Sequence, residues 1–152
     1  MSHSTLYQGS RSQLVKQLVY FDEERFNFLD QYFPDFGPKR SAAERLIADY
    51  VAEVERVSAD PTPENINATA LIGSQLEIRY LDDGDDAPTE TLTIVFPHLT
   101  DPDRNRVSVL SPLGYQLLLA KTGQTYQLDV PSGQLSVRVE NIKFVNNGET
   151  PI

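Results

Sequence analysis

No cysteine occurs anywhere in the 152 residues, so disulfides, zinc–thiolate sites and cysteine nucleophiles are excluded by inventory. No apolar run approaches the roughly 20 residues needed to cross a bilayer. The opening MSHSTLYQGSRSQ also lacks the apolar core of a signal peptide. Together these absences lead to the expectation of a cytoplasmic protein that touches no membrane. Basic residues are scarce as well: 13 against 22 acidic ones, a formal net charge of -9. Residues 1–60 carry 7 basic and 10 acidic groups and residues 61–152 carry 6 and 12, so neither half is basic. That balance argues against direct gripping of nucleic-acid phosphates and favours a protein partner. Only His3 and His98 represent histidine, too few for a metal pair or a catalytic triad.

What is present is enough apolar residue, 39% of the chain, to fill one modest core or a small domain with an appendage. In the first sixty residues Leu14, Leu18, Phe21, Phe28 and Tyr32 recur at helical spacings, with Arg25 interrupting the series. The pattern predicts a helix over about Asp22–Phe33. Asp22 is a candidate N-cap with Phe21 and Phe26 as its staple, which would leave Leu14–Phe21 as a separate segment. Pro34, Gly37 and Pro38 then end the helix. Ser41 and Glu44 form a capping-box pattern for a second helix, whose Ile47, Tyr50, Val54 and Val57 line one face. Two helices about a short turn make an antiparallel hairpin with a coiled-coil-like seam; the alternative is two helices lying on the rest of the protein. At 12 to 20 residues each, such helices span roughly 20 to 30 Å.

Asp60-Pro61-Thr62-Pro63 breaks the second helix and opens an expected linker over residues 61–70. Beyond it the period changes to two. Leu76, Ile78 and Tyr80 alternate with polar residues, and Leu92 and Ile94 repeat the pattern after LDDGDDAPTE. A third strand is predicted over Arg106–Leu110, a helix over Pro112–Ala120 with Gly123 as its stop, and a hairpin of Tyr126–Val130 and Leu135–Phe144 around Pro131-Ser132-Gly133. The class is α+β: a helical hairpin over 1–60, then a five-stranded, mostly antiparallel sheet with one short helix over 71–152.

The stretch VSVLSPLGYQLLLAKTGQTYQLDVPSG resembles the C-terminal domain of the GreA/GreB transcription factors. A strand runs into Ser111-Pro112-Leu113-Gly114, followed by Leu117, Leu118, Lys121, Gly123, Pro131 and Gly133 at the family's positions. Gly73-Ser74 and Val95-Phe96-Pro97 resemble its opening strand and its valine-x-proline element. About half the chain is covered. The departures are Gln116 where the family usually has alanine, and Leu119-Ala120 where it has glycine-lysine.

The resemblance implies an FKBP-like sheet domain and a partner, RNA polymerase, met by the Ser111–Gly114 loop at the β′ coiled coil on the secondary-channel rim. GreA and GreB present acidic residues at the tip of a long coiled coil, where they help hold magnesium for cleavage of backtracked RNA. Here the tip reads PDFGPKR, one acid, Asp35, beside Lys39 and Arg40. A hard cation wants several oxygen ligands, so the expectation is a regulator similar to Rnk, with no cleavage stimulation, catalytic residue, metal or cofactor of its own. The alternatives are a true cleavage factor and an isomerase or chaperone module, although an FKBP-like shape confers no isomerase activity by itself. Asp82, Asp83, Asp85 and Asp86 lack the spacing of a calcium loop and are expected to be a solvated tip. His98 is expected at the surface.

Overall fold

The computed structural model describes residues 2–84, 86–145 and 147–151, without the side chains of residues 2–8 and of Asp83. The chain divides into two compact units, Met1–Pro61 and Thr62–Ile152.

The first unit is a pair of helices, α1 (Ser2–Tyr32) and α2 (Pro38–Ala59). One continuous 31-residue α1 replaces the expected helix from Asp22, so Asp22 is no N-cap, and Phe26 is 71% exposed rather than part of a staple. The seam accommodates a polar side chain as well. Gln17 is fully buried, and its Oε1 accepts a 2.5 Å hydrogen bond from the Tyr50 hydroxyl. A polar residue therefore fills an apolar position of the helical series at no cost in unpaired groups. Around this pair pack Leu14, Phe21, Phe28, Leu29, Ile47, Val54 and Val57, all buried. Phe21 meets Tyr50 and Phe28 edge-on at 5.9 and 6.0 Å, a favoured aromatic geometry.

The capping box does not form. Helix α2 begins four residues earlier, with Gly37 at the N-cap and Pro38 in the first turn, where the missing proline N–H costs nothing. The Ser41 N–H already donates to the Gly37 carbonyl, and Glu44 faces Arg40 at 3.5 Å. The hairpin is also longer than expected: the 22 residues of α2 correspond to about 33 Å.

The second unit begins before the expected boundary. Thr62 caps a one-turn helix, α3 (Pro63–Ile66), by accepting from the Asn65 N–H at 3.2 Å. Residues 61–70 are therefore not a free linker. Ile66 and Ala70 are buried, Asn67 Oδ1 accepts from the Phe144 N–H at 2.8 Å, and the Ala70 N–H donates to the Ala120 carbonyl at 2.8 Å.

Five strands follow: β1 (Ser74–Tyr80), β2 (Thr89–Val95), β3 (Arg106–Ser108), β4 (Thr125–Val130) and β5 (Gly133–Phe144). Their order is β3-β2-β1-β5-β4, antiparallel except for β2 with β3. Leu76, Ile78, Leu92, Ile94, Leu128, Val137, Val139 and Ile142 are buried in the core. Along β5 the buried parity switches from odd to even between Val139 and Ile142. The switch coincides with a register shift opposite Glu77 and Ile78, a bulge that bends the strand. Pro131-Ser132 forms the two-residue turn between paired Val130 and Gly133. The helix between β3 and β4, α4, spans Pro112–Leu117, three residues less than expected. It ends because Leu118 leaves helical dihedrals and Leu119 takes φ 70, well before Gly123.

Candidate functional site

The loop from β3 into α4 is held by a closed set of short-range bonds. Ser111 Oγ donates to the Ser108 carbonyl at 2.7 Å and accepts from the Gly114 N–H at 3.1 Å, capping α4. Ser108 Oγ in turn accepts from the Leu110 N–H at 3.0 Å. Glycine is required at 114: a Cβ built there would lie 2.1 Å from the Ser108 carbonyl oxygen, inside any tolerable contact. The result is a fixed turn with Pro112 exposed and Leu113 half-buried. Ser111, Pro112 and Leu113 thus share one pre-set element at the surface, with Gly114 buried beneath it; the phenol pKa of the next residue, Tyr115, is pushed above the ordinary value by burial.

Nothing in the sequence around Gln116 indicates what it does beyond its departure from the family's usual alanine. Its Nε2 donates to the Pro112 and Asp129 carbonyls at 2.8 and 2.7 Å, and its Oε1 accepts from the Asp129 N–H at 2.9 Å. The side-chain amide stands in for a neighbouring strand and ties α4 to β4. Leu119, which stands where the family usually has glycine, takes φ 70, in the left-handed region that bulky side chains rarely enter.

The other candidate residues lie in the first unit, at the hairpin tip. Asp35 and Lys39 are exposed, and Phe36 is 87% exposed. Arg40 is different: it is only 5% exposed. Its guanidinium donates to the Phe33 carbonyl and to Asp30 Oδ1, both at 3.0 Å, and lies 4.5 Å from the centre of the Phe36 ring. The tip therefore does not group Asp35, Lys39 and Arg40 as three free charges; the Arg40 charge is engaged by Asp30 and by Glu44. Among the described residues, no three histidine or carboxylate side chains converge as a metal site.

Asp82, expected to be solvated, accepts from the Ser136 N–H at 3.0 Å and so anchors its turn to β5. Asp85 lies outside the described residues. His98 is exposed, its ring 6.3 Å from that of Phe96.

A family model described as "Transcription elongation factor, GreA/GreB, C-term" matches residues 66–144, more than half the chain. The chain belongs to the GreA/GreB family. The match opens at Ile66, the buried residue of α3, in keeping with a GreA/GreB domain that starts ahead of β1. Among relatives, GreA of Dehalococcoides mccartyi is 24% identical over 136 residues, covering 86% of this chain and 85% of that protein. GreA of Thermosipho africanus is 33% identical over 100 residues, and there the chain spans 62% of the relative's length. For GreA of Desulfovibrio desulfuricans the figures are 31% over 74 residues and 44% of its length. The solved prokaryotic GreA/GreB factor from Nitrosomonas europaea superposes with a TM-score of 0.54 at 24% identity, over 80% of this chain and 93% of that one; this is a likeness of fold.

Proposed function

We propose that this GreA/GreB-family chain is a transcription elongation factor that binds RNA polymerase at its secondary channel and does not itself stimulate RNA cleavage. Docking is assigned to the Ser111–Gly114 element, against the β′ coiled coil at the channel rim. The element suits this role because its backbone is fixed before any partner arrives, which lowers the ordering cost of binding. On this reading the protein is not an enzyme and holds no cofactor.

The observation that carries the absence of cleavage is the tip. Recruiting a second magnesium beside a polymerase's own carboxylates takes additional negative oxygen ligands. The tip presents a bare phenyl ring, Phe36, flanked by one exposed carboxylate, Asp35, and one exposed ammonium, Lys39. The positive charge of Arg40, neutralised by Asp30 and Glu44, counts less against a cation than its place in the sequence implied. The deficit of free carboxylates stands without it.

The second reading, a cleavage-stimulating factor, is favoured by the name GreA borne by the relatives. The experiment that separates them adds the purified chain to a backtracked polymerase complex with magnesium. Binding without faster RNA cleavage is expected, with Asp35→Ala binding as tightly as wild type. Magnesium-dependent cleavage that disappears in Asp35→Ala would establish the second reading. Replacing Pro112 and Leu113 by serine should weaken binding while circular dichroism stays unchanged.

A further inference from the structure

Just after β5 the chain reads Asn147-Gly148, the only place where an asparagine precedes a glycine. An asparagine side chain can be attacked at its carbonyl carbon by the backbone nitrogen of the residue that follows. Glycine hinders that attack least, because it has no Cβ and the widest backbone range. Every other asparagine of the chain is followed by a residue that carries a Cβ. The step is complete in itself. The Gly148 nitrogen loses its proton and bonds to Asn147 Cγ, ammonia leaves, and a succinimide ring closes. Water then opens either carbonyl–nitrogen bond of the ring, giving aspartate or isoaspartate.

The fold bears directly on the attacking atom. Asn147 is half-buried and Gly148 is buried. A Cβ built on Gly73 would lie 2.8 Å from the Gly148 nitrogen and 3.0 Å from its Cα, so the two backbones touch with no room for a methyl group. Gly73 is itself fixed. Its N–H donates to the Ile94 carbonyl at 2.7 Å, and its carbonyl accepts from the Val145 N–H at 3.1 Å. To react, the Gly148 nitrogen must surrender its proton to solvent and swing towards the Asn147 side chain. Seated on Gly73 it can do neither. The reaction therefore proceeds only from the fraction of molecules in which this short segment has opened locally.

We infer that Asn147-Gly148 is a self-modification site, an asparagine that deamidates to isoaspartate and is held back by the packing of Gly148 on Gly73. The conversion is one-way. Isoaspartate puts a methylene carbon into the main chain and a carboxylate beside it, so Gly148 no longer reaches its seat on Gly73. The inference concerns only the second unit and stands independently of the proposed function.

The test follows deamidation at mildly alkaline pH by peptide mapping with mass spectrometry. It compares the folded full chain, the same chain unfolded in urea, and a peptide of residues 143–151. In the unfolded chain and the peptide, Asn147 should convert ahead of every other asparagine. In the folded chain it should convert about tenfold more slowly or less, with protection of the Gly148 amide against hydrogen exchange of similar size, since both read the same opening. Gly73→Ala should close most of that gap, and Asn147→Gln should give no product at this position. Where Gly73→Ala does not fold, the wild-type rates and the Gly148 exchange decide by themselves. A folded chain that deamidates at the peptide's rate would overturn the inference, as would an unprotected Gly148 amide. An unfolded chain that converts first at another asparagine, or a folded Gly73→Ala as slow as wild type, would do the same.

Discussion

Gln116 pairs with the backbone of Asp129 as a strand would, giving one hydrogen bond to its carbonyl at 2.7 Å and taking one from its N–H at 2.9 Å. The third bond, to the Pro112 carbonyl at 2.8 Å, ties the clamp to the first residue of α4. The side chain that departs from the family's usual alanine therefore closes a gap between helix and sheet edge. Gln116→Ala should lower stability by about 0.5 to 1.5 kcal/mol, the net worth of hydrogen bonds whose exposed backbone partners water can otherwise satisfy. Gln116→Glu should be intermediate, because the acid keeps the acceptor and loses the donor. Thermal melts of the two variants check the order.

Leu119 at φ 70 pays for its side chain with backbone strain of about 1 to 2 kcal/mol, and glycine at this position pays about 0.5 to 1 kcal/mol in unfolded-chain entropy instead. The two costs are close, so Leu119→Gly is expected to change stability little. Leu119→Val keeps most of the apolar area but is β-branched, the worst case for positive φ. It should melt clearly below Leu119→Gly; the reverse order would mean that side-chain contact, not backbone strain, governs the position.

The sheet was legible because its signals are local. Leu76, Ile78, Leu92 and Ile94 alternate, and Pro131-Ser132-Gly133 names its own turn. The Ser111–Gly114 cap could likewise be read from the serine, proline and glycine alone. Three features were not legible, because each depends on a partner that no local sequence pattern announces. Gln17 carries no apolar signal of its own, and its place in the seam depends on Tyr50, 33 residues on. Arg40 looked like a free charge until Asp30 and the Phe33 carbonyl engaged it. The segment after Pro61 read as a linker because Asn67 and Ala70 meet their partners, the Phe144 N–H and the Ala120 carbonyl, only across the fold.

That packing sets where the second unit can be cut. A fragment beginning at Thr62 retains the α3 cap, buried Ile66 and the Asn67 bond to Phe144. It should unfold cooperatively. A fragment beginning at Leu71 loses all three and the Ala70–Ala120 bond. Burial of one isoleucine alone contributes about 1.5 to 3 kcal/mol, so the shorter fragment should melt markedly lower. Equal melting temperatures would return residues 62–70 to the status of a linker.

Alkaline stability provides the last test. Burial pushes the Tyr80 phenol well above its ordinary pKa of 10.0, and its 2.6 Å hydrogen bond to Glu90 Oε2 adds to the effect, since ionisation would set a phenolate against a carboxylate. Burial raises Tyr20 and Tyr115 in the same direction. A folded-state pKa above the unfolded one means that the unfolded chain releases its proton first as pH rises. The contribution is fully present below pH about 10 and is lost as pH climbs through the folded value. Melting temperature should therefore show no tyrosine-linked decline up to pH about 10 and fall above it, with Tyr80→Phe reducing the slope. In an absorbance titration the difference between wild type and Tyr80→Phe should appear only above pH about 10 and together with unfolding. If that difference appears near pH 10 while the circular dichroism of the sheet persists, Tyr80 is not held neutral by its surroundings.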